Sequence, residues 1–120
     1  MYLTEDRNRD LLRAYKSIVR RSGFLPIKEI YNILTKEPSR RFWITGERAY
    51  DHIVNHRGYE RRGEMYREIE KRARQYMKEK GCSFRKACRA VVLQPAPSFF
   101  LEARSINNII LRLLKREKQR

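Results

Sequence analysis

An all-α fold of about six helices is what this sequence predicts, built from two tandem related three-helix halves packed as one domain. Three observations predict it. Apolar residues recur at helical spacing in every segment. Proline, glycine and small hydroxylated residues fall where those segments would begin and end. The chain also repeats itself: Ile27–Val54 and Phe84–Leu111 align without a gap at an offset of 57. Ile27, Ile30, Tyr31 and Leu34 fall on Phe84, Ala87, Cys88 and Val91, and Pro38 falls on Pro95. Phe42, Trp43 and Ile44 fall on Phe99, Phe100 and Leu101, and Ala49 and Ile53 fall on Ile106 and Ile110. Self-similarity of this kind marks a supersecondary unit whose copies bury their apolar faces on each other. The halves so defined run from about 5 to 58 and from about 59 to 118, within a single domain covering 1–120.

Helix 1 is expected over about 5–21, where Leu11, Leu12, Tyr15, Ile18 and Val19 form one face. Thr4 is its expected cap, with Glu5 and Asp6 at the positive end of the helix dipole. Gly23 ends it, and Pro26 suits the first turn of helix 2, about 26–37, where a missing N–H costs nothing. Pro38 stops helix 2. Thr45 then caps helix 3, about 46–56, and Gly58 and Gly63 mark the break between copies. Helix 4, about 60–80, carries Met65, Tyr66, Ile69, Ala73, Tyr76 and Met77. At an offset of 58, Leu11, Tyr15, Ile18 and Val19 fall on Ile69, Ala73, Tyr76 and Met77, so the repeat extends over helix 1. Ser83 caps helix 5, about 84–94, which Pro95 and Pro97 stop. Helix 6, about 102–117, carries Ile106, Ile109, Ile110, Leu113 and Leu114, and the basic tail Lys115–Arg120 is expected to fray.

Charge bounds the function. The formal net charge is +15, with 20 Arg to 9 Lys. Residues 1–58 carry +5 and residues 59–120 carry +10. Arg offers a planar fork that matches phosphate oxygens, so the balance favours a nucleic-acid partner. No run of apolar residues is long enough to cross a membrane, and the start, MYLTEDRNRD, is too charged for a signal peptide. The reading is a cytoplasmic protein with no membrane association. Cys82 and Cys88 are too few for a disulfide framework and read as free thiols.

Catalytic and metal chemistry find little support. His52 and His56 stand four apart, and Cys82 and Cys88 could join them on zinc. The repeat argues against this, because His52 falls on Ile109 and Cys88 on Tyr31, which are packing residues. No glycine-rich phosphate loop and no readable nucleophile–base constellation exists. The expectation is no catalytic residue, no metal and no cofactor. The aromatic connections Phe42-Trp43 and Phe99-Phe100 could stack bases, and Arg40 and Arg41 precede the first pair. Pro97 and Ser98 replace those arginines in the second copy, so the connections read first as core plugs, meeting in a short two-stranded pairing.

Three surfaces remain as candidate nucleic-acid contacts. On helix 4, Arg67, Lys71, Arg74 and Lys78 fall within about 60° of one another, opposite the apolar stripe. The pairs Glu70–Arg74 and Glu68–Arg72 would neutralise part of that face. Arg61, Arg62, Arg85, Lys86 and Arg89 add charge nearby. Helices 2–3 and 5–6 invite comparison with helix–turn–helix DNA readers, although a connection of about six or seven residues exceeds the usual three or four. Helix 3 offers Arg48, Tyr50, Asp51 and Asn55; helix 6 offers Arg104, Asn107, Asn108 and Arg112. Asn and Arg are the side chains that read adenine and guanine edges.

The functional expectation is a small, basic, non-enzymatic DNA-binding protein of tandem helix–turn–helix-like type. DNA ranks ahead of RNA. The competing reading is a protein–protein interaction adaptor or an RNA-binding subunit of a nucleoprotein assembly, and a homodimer is compatible with either.

Overall fold

The computed structural model describes residues 3–23 and 25–119 as six helices and their connections, with no strand among the described residues. In order these are α1 (Leu3–Ser22), α2 (Ile27–Leu34), α3 (Gly46–Val54), α4 (Tyr59–Lys80), α5 (Phe84–Val91) and α6 (Ala103–Lys118). The all-α expectation holds in number and order of elements.

The differences lie at helix ends. α1 begins at Leu3, so Thr4 sits inside the first turn beside Glu5 and Asp6 rather than capping it. α2 and α5 stop several residues before their prolines. After Leu34 the chain tightens into turns in which Lys36 N–H bonds Ile33 O and Glu37 N–H bonds Leu34 O. After Val91, Leu93 and Gln94 do the same to Ala90 and Val91. A residue before proline is pushed out of helical geometry, so the approach to Pro38 and Pro95 cannot stay α-helical. The expected caps of α3 and α5 are present: Thr45 Oγ1 accepts from Arg48 N–H at 3.1 Å, and Ser83 Oγ accepts from Lys86 N–H at 3.2 Å.

Gly58 precedes α4 at φ +77°, a left-handed conformation that favours glycine. A Cβ there would also press on His52 Nδ1 at 3.2 Å and the Tyr66 ring at 3.3 Å. Gly63, the other expected break, lies buried inside α4. Helical geometry is interrupted beside it, at Arg62 (φ −130°, ψ 27°), where α4 kinks. α6 stays helical through Lys118, where the tail was expected to fray; Arg120 lies outside the described residues.

The helices gather into two compact units that cut across the sequence halves. Unit 1 comprises Met1–Ser39 with Pro97–Arg120, and unit 2 comprises Arg40–Ala96. In unit 1, α1, α2 and α6 pack pairwise. Its buried residues are Leu11, Ala14 and Ile18 of α1, Ile30, Tyr31 and Leu34 of α2, and Ile106, Ile109 and Ile110 of α6, with Phe99 before α6. Tyr15 stacks near Tyr31 with ring centres 6.3 Å apart. Asp10 is buried, and Arg13 donates to it at 2.8 Å. Lys16 of α1 pairs with Glu117 of α6 at 2.7 Å.

In unit 2, α4 and α5 pack together and α3 packs on both. Met65, Tyr66, Ile69 and Ala73 of α4 are buried, as are Ala87, Cys88 and Val91 of α5 and Ala49 and Ile53 of α3. Phe42 and Ile44 complete this core. Phe42 N–H donates to Val92 O at 3.0 Å, and the Arg72 guanidinium lies over the Phe42 ring at 5.1 Å. Burial pushes the Cys88 thiol up to about 11.

Candidate nucleic-acid interface

The charge divides evenly between the units although it does not divide evenly between the sequence halves. Arg40–Ala96 holds 15 Lys/Arg against 7 Asp/Glu, net +8, which leaves +7 for unit 1. Burial fixes which side of α4 this charge occupies. Once Met65, Tyr66, Ile69 and Ala73 face inward, the 100° step of the helix puts Arg67, Lys71, Arg74 and Lys78 outward, and all four are exposed. The row spans twelve residues, Arg67 to Lys78, about 16 Å at 1.5 Å per step. Glu60 and Glu64 are exposed on the same side and limit it at its N-terminal end.

The expected acid–base pairs within α4 both form. Arg74 pairs with Glu70 and Arg72 with Glu68, each at 2.7 Å. They differ in consequence. Arg72 also donates to Gln94 Oε1 at 3.3 Å and to Pro95 O at 2.8 Å, so it ties α4 to the segment after α5. Arg74 stays exposed, over the Phe84 ring at 5.0 Å. Lys71 and Lys78 have no acidic partner among the described residues. Arg67 lies over the Tyr59 ring at 5.9 Å. Tyr59 is raised above its ordinary range, first by burial, then by Glu70, with Arg67 opposing.

The remaining residues of unit 2 fall into place around this face. Arg48 and Arg40 are exposed. Arg41 is half-buried and donates to the carbonyls of Phe42 and Ile44, each at 3.0 Å, so it braces the connection. Tyr50, expected outward on α3, is half-buried with Phe84 on one side at 6.0 Å and Arg85 over it at 4.7 Å. Asp51 accepts from Arg57 and from Asn55. Glu47, in the first turn of α3, pairs with both Arg85 and Arg89 of α5. His52 stacks on Tyr66 and its Nδ1 sits 3.1 Å from Arg57 O, while His56 stacks on Tyr59. No group of three or more metal-ligating side chains gathers among the described residues.

In unit 1, Arg104, Asn108 and Arg112 recur every four residues along the exposed side of α6, and Asn107 is half-buried at its edge. They therefore do not share a compact unit with the α4 row. The helix–turn–helix comparison also changes. Eleven residues separate α2 from α3, and eleven separate α5 from α6. In such readers the two helices are packed neighbours joined by a tight turn; here each of these pairs is divided between units.

Sequence reading missed two features of this surface: the clasp of Glu47 by Arg85 and Arg89, and the placement of arginines over rings. The clasp, and the placing of Arg74 over Phe84 and Arg85 over Tyr50, join residues on different helices, so no spacing announces them. No helix is long and apolar enough to cross a membrane, among the described residues. No protein-family profile, no curated protein and no solved structure matches the chain.

Proposed function

We propose that this chain is a non-enzymatic nucleic-acid-binding protein that holds duplex DNA on the cationic face of unit 2. The observation that carries the reading is the exposed row Arg67, Lys71, Arg74 and Lys78, straight, about 16 Å long and opposite a buried stripe. A rigid row of cations tracks a phosphate backbone and displaces its counterions. Duplex is favoured over single strands because, of the aromatic pairs considered for stacking, Phe42 and Phe99 are only 1% and 5% exposed and Trp43 and Phe100 are half-buried. On unit 1, the outward row Arg104, Asn108 and Arg112 of α6 is a separate candidate for reading base edges.

The same proposal includes duplication. Seven pairs at the offset of 57 are buried on both sides: Ile30/Ala87, Tyr31/Cys88, Leu34/Val91, Ser39/Ala96, Phe42/Phe99, Ala49/Ile106 and Ile53/Ile110. The five buried residues of α1 match the five of α4 at an offset of 55, about one helical turn from the offset of 58 that sequence suggests. On this reading each copy lends its third helix to the unit formed by the other copy's first two.

A salt titration against a DNA duplex tests the function. Affinity should fall steeply with salt, and reversing Arg67 and Lys71 to Glu should flatten the dependence by about 0.9 per lost contact. Absence of association near about 0.05 M salt, where electrostatic binding is strong, rejects the reading. A protein partner is the second reading. It rests on Leu111, 52% exposed, which with Leu114, Lys115, Glu117 and Lys118 lines a cleft of about 430 Å³, where two lysines outnumber one glutamate and suit an acidic helix.

A further inference from the structure

Five arginines of unit 2 lie over aromatic rings. The distances to the ring centres are 5.4 Å for Arg41 on Trp43, 5.9 Å for Arg67 on Tyr59, 5.1 Å for Arg72 on Phe42, 5.0 Å for Arg74 on Phe84 and 4.7 Å for Arg85 on Tyr50. All five pairs lie within Arg40–Ala96.

The five divide by what else each guanidinium does. Arg41 and Arg72 are half-buried and donate to backbone carbonyls, so their polar edges are occupied within the fold. Arg67, Arg74 and Arg85 are exposed and make no such bond among the described residues. A guanidinium carries its five N–H groups in its own plane. A ring beneath it engages the face and leaves the edge, and the edge is what a phosphate accepts from with two oxygens. Arg74 gives Nε and one N–H of Nη2 to Glu70, which leaves the end formed by Nη1 and the second N–H of Nη2. Arg85 meets Glu47 only at 3.7 Å. A long side chain laid on a ring has already lost much of the freedom it would otherwise lose on binding.

We propose that Tyr59, Phe84 and Tyr50 are positioning residues that hold Arg67, Arg74 and Arg85 as phosphate grips, so that the ligand is a phosphodiester backbone recognised by oriented guanidinium edges and not by charge alone. This rests on the nucleic-acid reading above. It extends that reading to Arg85 on α5 and to three rings that carry no charge. Because a cation attracts phosphate with or without a ring, the two contributions separate by experiment. Charge sets the salt dependence of binding; orientation sets the affinity at any one salt concentration.

The test uses the full chain and a short mixed-sequence DNA duplex, titrated at several salt concentrations, with the melting temperature of each variant recorded. Phe84→Leu, Tyr50→Leu and Tyr59→Leu should each weaken binding about two- to fivefold at every salt concentration, the loss matching an exposed pair of this type, and leave the salt slope unchanged. Arg74→Lys and Arg85→Lys should do the same, because Lys keeps the charge and lacks the fork. Phe84→Leu added to Arg74→Lys should cost little more than either change alone. Tyr50→Phe, which keeps the ring, should bind as the parent does. Should a leucine variant fail to fold, the surface changes Arg74→Lys and Arg85→Lys still decide the matter. Lysine variants that bind as tightly as the parent overturn the proposal and leave charge alone. A parent that binds no duplex overturns the nucleic-acid reading beneath it, which is a different outcome.

Discussion

A methyl group on Gly46 would stand 2.6 Å from the Cα of Arg89. At this point the start of α3 meets the backbone of α5 with no side chain between them, and neither backbone can yield cheaply. Gly46→Ala should therefore destabilise unit 2 by about 1–3 kcal/mol, the usual result of overpacking. Alanine's better helix propensity would offset part of this. A thermal melt compares the variant with its parent; an equal or higher melting temperature would show that α3 and α5 separate without cost.

Ile110 is fully buried and Ile53 is 7% exposed. Truncating either to Ala should cost about 2–5 kcal/mol, with Ile110→Ala at the upper end because its cavity has no solvent to relax into. Denaturant unfolding reads both, and equal midpoints for parent and variants would contradict the packing of α3 and α6.

Glu47 occupies Arg89 and lies 3.7 Å from Arg85, so its charge offsets two arginines that could otherwise face a ligand. Glu47→Gln should release Arg89, remove the negative charge beside Arg85, tighten DNA binding at low salt and steepen the salt dependence. The pair is more than half exposed, so the fold should lose under about 1 kcal/mol. Weaker binding by this variant in a salt titration would show that the clasp shapes the surface instead of blocking it.

Residues on α6 should behave differently from those on α4. Arg104→Ala, Asn108→Ala and Arg112→Ala should each remove about 1–3 kcal/mol of discrimination at particular base pairs if the helix reads bases. Competition between variant duplex sequences measures this. Uniform weakening across all sequences would reduce α6 to a phosphate contact.

Cys88 is fully buried, and its thiol is pushed up to about 11 from an ordinary value of 9.0. The folded state favours the neutral form. That contribution to stability is complete below pH 9.0 and is lost as pH rises through about 11. Thiol-specific labelling at neutral pH should modify half-buried Cys82 first and reach Cys88 only when unit 2 opens. Equal labelling rates would place Cys88 outside the core.

What was legible in the sequence was local. Thr45 and Ser83 announce helix starts because a hydroxyl before a helix has one obvious donor to bind. Glu70 and Arg74 announce their pair because four residues is one turn. Periodicity also gave the buried face of α4 and so the cationic row opposite. It could not say which helix covers that face. Ile53 and Ile110 look alike as apolar positions, and nothing near either says that α3 joins α4 and α5 while α6 joins α1 and α2. Tyr50 was misjudged for the same reason: the ring and the guanidinium above it lie on different helices.

Unit 2 is one uninterrupted stretch of chain, whereas unit 1 is assembled from segments on either side of it. The two therefore differ in how they can be reached kinetically. Closing unit 2 joins helices that follow one another through short links, a small loop-closure entropy. Closing unit 1 brings α6 back to α1 across the whole intervening segment. Prior collapse of that segment shortens the path. During synthesis α1 and α2 emerge before unit 2 and have no third helix until α6 follows it out of the ribosome. Their apolar sides, Leu11 and Ile18 among them, stay open to other chains for all of that interval. Crowded synthesis, with many such chains waiting at once, exposes this protein to mispairing between molecules.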